Sequence, residues 1–302
     1  MALECSLCLK TGVDGMNRDI LNIIQENMST FSKGQKRIAN FILESYDKAA
    51  FMTASKLGKR VNVSESTVVR FAAELGYDGY PAMQKSLQKM IRNRLTYIQR
   101  IEVTNSRFGD QDVLTSVLQS DIEKIRLTLE EIDREVFGQA VDTIVGARKI
   151  YIIGVRSSAS IANFLGFYFN LIFDNVIMVS ANTSSEVFES LLHLGKGDVI
   201  IGVSFPRYSS RTVQAMNFGR DRGAATIAIT DSEASPLASV SDCTLKARSD
   251  MASFVDSLVA PLSLVNALLV AVSRKKNDDI SYNFQMLEEI WDKYGVYEKG
   301  QD

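Results

Sequence analysis

Apolar positions recur at helical spacing through the first hundred residues and then give way to short, nearly continuous apolar runs. From Ser32 to Tyr46, Ile38, Ala39, Phe41 and Ile42 gather on one side, and Lys33, Lys36, Arg37 and Glu44 surround the other, which predicts an amphipathic helix. Thr53 can cap a short helix through Arg60, with Ala54 and Leu57 inward. Val61, Asn62 and Val63 form a tight connection, and Ser64 can cap a second helix that runs to Leu75 and stops at Gly76. Val68, Val69, Ala72 and Leu75 are its expected apolar contacts, which leaves Ser66, Thr67 and Arg70 for the other face. Pro81 initiates a further helix with Leu87, Met90, Ile91 and Leu95 in register.

Residues 103–112 have the polar, helix-poor character of a linker. Helices are predicted over 113–133 and 135–146, then strands at 149–153, 176–179, 198–203, 224–229 and 242–246. Helices at 158–173, 184–193 and 209–222 and a helical turn near Pro236 separate the strands. Apolar strands alternating with helices predict a parallel sheet covered on both faces, a three-layer α/β/α arrangement. Two long apolar helices, 251–272 and 280–291, close the chain. In the first, Met251, Val255, Leu258, Val259, Leu262, Val265, Leu268 and Leu269 make more than one apolar side, enough for the sheet and a second subunit.

The 302 residues suit about two domains. Cys5, Cys8 and Cys243 are too few for a disulfide framework, so a reducing, cytoplasmic setting is expected. No secretory leader is indicated, and no apolar stretch approaches the roughly 20 residues of a membrane span. Charge adds an asymmetry: residues 29–100 hold 13 Lys and Arg against 5 Asp and Glu, whereas residues 101–302 hold 19 against 27. A basic module on an acidic body suits a protein that meets a polyanion with one part only.

Two short helices joined by three residues have helix-turn-helix geometry, the second helix entering a major groove. Ser64, Glu65, Ser66, Thr67 and Arg70 are placed against DNA, and Lys56, Lys59 and Lys85 against phosphates. A helical hairpin that merely dimerises would show the same periodicity. In the second half, Gly154–Ser158 (GVRSS) and Ser204–Ser210 (SFPRYSS) each follow a strand and open a helix, where hydroxyls, helix-start N–H groups and an arginine can cradle a phosphate ester. Arg156, Ser157, Ser158, Ser204, Arg207, Ser209 and Ser210 are the candidate ligand residues, although serines also cap helices for structural reasons alone. His193 reads as a surface or helix-end residue; Glu186, Glu189 and His193 could share a helical face, but they match no metal signature. No cofactor or metal site is expected.

The run from Lys33 to Leu95, with VSESTVVRF followed by LGYDGY, resembles the amino-terminal domain of the RpiR/MurR family of bacterial transcriptional regulators. The resemblance continues to about residue 290, where that family carries a sugar isomerase (SIS) domain. It implies an α+β chain in two domains: an all-α helix-turn-helix domain over 16–100, a linker at 101–112, and an SIS-like domain over 113–302. Residues 1–15 would be an extension, or Met16 the start, and the C-x-x-C pair Cys5 and Cys8 would supply only two of a structural zinc's four ligands.

Where the family commonly has G-x-G-x-S, this chain has Gly154, Arg156 and Ser158; where it has S-x-S-G-x-T, this chain has Ser204, Pro206, Arg207 and Ser209. The implied protein is a cytoplasmic, non-catalytic regulator that binds pseudo-palindromic operator DNA as a homodimer or homotetramer and answers to a phosphorylated sugar or sugar acid. Two alternatives stay open at this point. One is a phosphosugar isomerase with an appended helical domain, for which Glu186 would be the least poor proton carrier. The other is a DNA-binding protein whose second domain serves assembly only.

Overall fold

The computed structural model describes residues 20–92, 98, 100, 101, 112–249 and 255–297. Cys5, Cys8, Met16, Met251, and the linker except Ile101 and Asp112 lie outside them. The chain divides into two compact units, residues 1–103 and 104–302.

The first unit is helical: α1 (Ile20–Glu26), α2 (Lys33–Glu44), α3 (Tyr46–Ala49), α4 (Ala54–Arg60), α5 (Glu65–Glu74) and α6 (Gly79–Arg92). α2, α4 and α5 start on side-chain caps. Ser32 and Gln35 form a reciprocal capping box at α2, and the Thr53 hydroxyl accepts from Lys56 N–H at α4. Gly76, at a φ of +87°, ends the α5 segment in the left-handed conformation that glycine adopts at least cost. Ile38, Ile42, Leu57, Val68, Phe71, Ala72, Met83 and Leu87 are fully buried between these helices. Tyr80 Oη and Gln84 Nε2 both donate to Met52 O, and burial pushes the Tyr80 hydroxyl pKa up to about 12.

The second unit opens with α7 (Val113–Glu131) and α8 (Arg134–Val145), capped by Asp112 and Asp133. It continues as β1 (Ile150–Gly154), α9 (Ser157–Ile172), β2 (Val176–Met178), α10 (Ser184–Ser190), β3 (Val199–Val203), α11 (Ser210–Asp221), β4 (Ala225–Thr230), a 3-10 turn at Ala238–Val240, β5 (Cys243–Lys246), α12 (Val259–Lys275) and α13 (Asn277–Tyr294). All strand pairs are parallel, in the order β2-β1-β3-β4-β5. Alternate residues serve opposite faces. Ile150, Ile152, Val199, Ile201, Ile227 and Ile229 pack under α8, α9 and α12, whereas Tyr151, Ile153 and Ile200 meet Val187, Leu191, Ala215 and Met216 beside α10 and α11. At the opposite edge from the strands' carboxyl ends, Asp198 accepts from Arg148 Nε and Nη2, each at 2.8 Å, and from Gly195 N–H.

One long helix is shorter than expected. α12 begins at Val259, because Pro261 fits a first helical turn but cannot follow a helix already running from 251: it lacks the N–H and its ring would clash with the preceding turn. Val265, Leu268 and Leu269 are buried in this unit's own core, whereas Val255 and Val259 are 50% and 38% exposed. No helix among the described residues is long and apolar enough to cross a membrane.

Candidate functional site

The turn between α4 and α5 closes tightly for a local reason. Asn62 holds a φ of +54°, a conformation asparagine tolerates better than most residues, and Val63 N–H donates to Gly58 O at 2.8 Å. A Cβ on Gly58 would stand 2.8 Å from Val63 O, so glycine is what lets the turn lie this close to α4. Ser64 caps α5 through Thr67 N–H, and its hydroxyl sits 2.8 Å from both Ser66 Oγ and Thr67 Oγ1. Glu65, Ser66, Arg70, Lys56, Lys59 and Lys85 are exposed, with Arg70 Nε donating to Ser66 O at 3.3 Å. Val69 is 41% exposed, not the core contact its apolar character suggests. The inward direction set by Val68 returns at Phe71, Ala72 and Leu75, and Phe71 meets Phe31 edge-on at 5.1 Å.

In the second unit the winding reverses between β1 and β3, with β2 to one side and β4 and β5 to the other. Open α/β sheets take ligands in the crevice at the carboxyl ends of such strands. Gly154 pairs with Val203, so the two serine-rich loops leave adjacent strands at one level. A Cβ on Gly154 would lie 2.6 Å from Ser158 O and 2.7 Å from Ala162 Cβ, which shows how closely α9 sits on the strand end. Ser158 is buried, and Ser157 and Arg156 are exposed.

Arg156 precedes α9 at a φ of +58° and ψ of −127° and supplies no side-chain cap. That backbone is nearly reserved for glycine, and holding another residue there costs roughly 1–3 kcal/mol. Arg156→Gly is therefore expected to raise the stability of the second unit by about 1 kcal/mol, net of glycine's greater entropy in the unfolded chain. Chemical denaturation of the two chains measures this, and an unchanged or lower midpoint would refute it.

The second loop is internally braced. Ser204 is buried; its hydroxyl accepts from Ser209 N–H at 3.1 Å and its carbonyl accepts from Thr230 Oγ1 at 2.8 Å. Ser209 caps α11 and Ser210 opens it, while Tyr208 Oη donates to Asp231 Oδ1 at 2.6 Å. Arg207 is exposed. Arg211 Nη1 reaches across to Ala181 O at 2.8 Å and Asn182 O at 3.0 Å, joining the start of α11 to the loop after β2. In the next turn, Glu186 accepts from Ser180 Oγ at 2.5 Å, and this bond holds its carboxyl below the ordinary carboxylate range, helped by Asn182, Thr183 and the Arg211 charge. α10 ends at Ser190, so His193 lies beyond it, exposed, and does not share a helical face with Glu186 and Glu189.

These two sites coincide with two family models. Residues 18–94 match the helix-turn-helix domain of the rpiR family, and residues 143–271 match the SIS domain. Over 282 residues the chain is 25% identical to the HTH-type transcriptional regulator HexR of Escherichia coli, covering 90% of this chain and 93% of that one. The chain belongs to the RpiR family of transcriptional regulators.

Among solved structures, the sugar isomerase domain of an RpiR transcription factor from Sphaerobacter thermophilus aligns with 59% of this chain and 99% of its own, at 29% identity and a TM-score of 0.57. NanR of Vibrio vulnificus, solved as a complex with ManNAc-6P, shares the fold over 93% of this chain and 100% of its own, at 24% identity and a TM-score of 0.57. Within this RpiR-family fold, Tyr208, Arg211 and Asp231 brace the crevice although nothing in the sequence singled them out.

Proposed function

We propose that α5 reads operator DNA through Ser66, Thr67 and Arg70, with Lys56, Lys59 and Lys85 on phosphates. We further propose that the β1/β3 crevice takes a phosphorylated sugar or sugar acid through Ser157, Ser158, Ser209 and Ser210, with Arg156 and Arg207 at its mouth. The observation that carries the ligand reading is the pairing of Gly154 with Val203, which sets two hydroxyl-bearing helix starts side by side at the switch point. NanR, which shares the fold, is complexed with ManNAc-6P, and this supports a phosphosugar as the ligand class. Two exposed guanidiniums in place of small residues favour a ligand with a second anionic group. The regulator acts as a cytoplasmic homodimer or homotetramer, whose paired α5 helices address two half-sites.

Duplexes selected from a randomised pool by the wild-type chain test the first part. Arg70→Ala should weaken the selected sequence by about 1–3 kcal/mol, whereas Lys59→Ala should weaken selected and unrelated DNA alike, in titrations at one salt concentration. Unchanged affinity for Arg70→Ala overturns this reading of α5.

Calorimetric titration tests the second part. Acidic sugar phosphates are expected to bind more tightly than neutral hexose phosphates and to shift operator affinity, and Arg207→Ala should erase the preference. Equal affinity for both classes, or an acidic ligand indifferent to Arg207→Ala, would defeat the two-anion reading.

A further inference from the structure

The outward face of α5 carries one large apolar residue. Glu65, Ser66, Val69, Arg70, Ala73 and Glu74 are exposed along the helix, and all but Val69 and Ala73 are polar or charged. Val69 leaves 41% of its surface open, whereas Val68, Phe71 and Ala72 beside it are fully buried. Folding gains little from a valine at such a position. Its branched Cβ restricts χ1 in a helix, and alanine or a straight-chain polar residue serves an exposed helix position better.

The neighbours of Val69 narrow what can cover it. At about 100° per residue, Ser66 and Ala73 lie within roughly 60° of Val69, so the three share one sector of the helix, with Arg70 on its flank. Arg70 Nε donates to Ser66 O at 3.3 Å, which draws the arginine stem back along that flank while the Val69 isopropyl group stays open. Ala73 offers only a Cβ, one turn further from the amino end of α5, the end whose residues meet base edges in a helix-turn-helix.

The chemistry of the groove supplies the match. A major groove presents donors and acceptors on every base pair and a single apolar group, the C5-methyl of thymine. Hydroxyls and a guanidinium suit the donors and acceptors. An isopropyl group can pair with none of them, but it can take the methyl group out of water.

We propose that Val69 reads the C5-methyl of a thymine and is a specificity-determining residue of this protein. This rests on the reading of α5 as the helix that addresses operator DNA, and it adds a base preference to that reading. Each half-site holds a thymine within about three base pairs of the base pair that Arg70 addresses, because adjacent residues are ~3.8 Å apart along the chain and stacked base pairs about 3.4 Å.

The test uses the full chain and a duplex selected from a randomised pool. Each thymidine in turn is replaced by deoxyuridine, which removes the methyl group alone, and affinity is read by anisotropy at one salt concentration. At one thymine in each half-site the wild-type chain should lose about fourfold, the equivalent of one buried methyl group. Val69→Ala should bind the thymine and uracil duplexes equally, and its first unit should unfold at or above the wild-type temperature, since alanine is the better helix former. If no thymine is sensitive, or if the sensitive one stays equally sensitive in Val69→Ala, the Val69 contact is overturned, and a duplex still weakened by Arg70→Ala leaves the role of α5 standing. A selection that yields no preferred sequence overturns both.

Discussion

A Gly58→Ala chain is expected to lose at least about a hundredfold in operator affinity, more than any single contact residue on α5, because a tilted helix forfeits several base contacts worth roughly 1–3 kcal/mol each. The added Cβ would press to 2.8 Å from Val63 O, which is backbone and cannot rotate away. Relief requires the turn to open, and the turn sets the direction of α5. The folded first unit should lose about 1–3 kcal/mol as well. Anisotropy titration against a selected duplex, with circular dichroism to establish the folded fraction, checks both effects. A folded Gly58→Ala chain with wild-type affinity would show that the closeness of turn and helix is incidental.

The second large effect belongs to Gly154. Replacing it with alanine sets a methyl group 2.6 Å from Ser158 O and 2.7 Å from Ala162 Cβ, at the end of a central strand where neither neighbour can yield without moving α9. A loss of about 2–3 kcal/mol is expected in the second unit, together with any ligand affinity that depends on the start of α9. Gly138 is the matched control. It lies inside α8 with nothing within 4 Å of an added methyl group, so Gly138→Ala should stabilise by up to about 1 kcal/mol through helix propensity. Scanning calorimetry on the two chains should move their transitions in opposite directions; parallel shifts would contradict the packing described at Gly154.

Much of this architecture is legible in residue order. The capping residues Ser32, Thr53, Ser64 and Gly76 each fall where a helix begins or ends, because caps act over three or four residues and depend on nothing distant. The central strands β1, β3 and β4 are legible for a related reason: burial on both faces leaves a largely apolar run, whereas the edge strands β2 and β5 are only partly buried. Position within a helix is harder to judge. Val69 and Phe71 are both apolar, and which of them faces inward depends on where α2, α4 and α6 lie, which only the tertiary structure specifies. The exposure of Leu114, Leu118, Ile122 and Leu129 on α7 has no signature of its own in the sequence, because an apolar face that meets a core and one that meets solvent have the same periodicity.

At the crevice, the serines are visible as caps after strands. The braces from Tyr208 to Asp231 and from Arg211 to Ala181 and Asn182 link residues 23 to 30 positions apart and leave no local trace. The positive φ at Arg156 likewise has no signature in a residue type that almost never adopts it.

The reach of Arg211 into the loop after β2 bears on how such a crevice could be re-tuned. A loop held only by its own strand can be exchanged as a cassette. Here the guanidinium grips two carbonyl oxygens belonging to another loop, and Glu186 and Ser180 are fastened to each other beside it. Residues 204–211 and 180–186 therefore make up one inheritable block. A graft that transplants the first without the second would arrive with an arginine lacking its sockets, so divergence in ligand preference is constrained to proceed by paired changes across both loops.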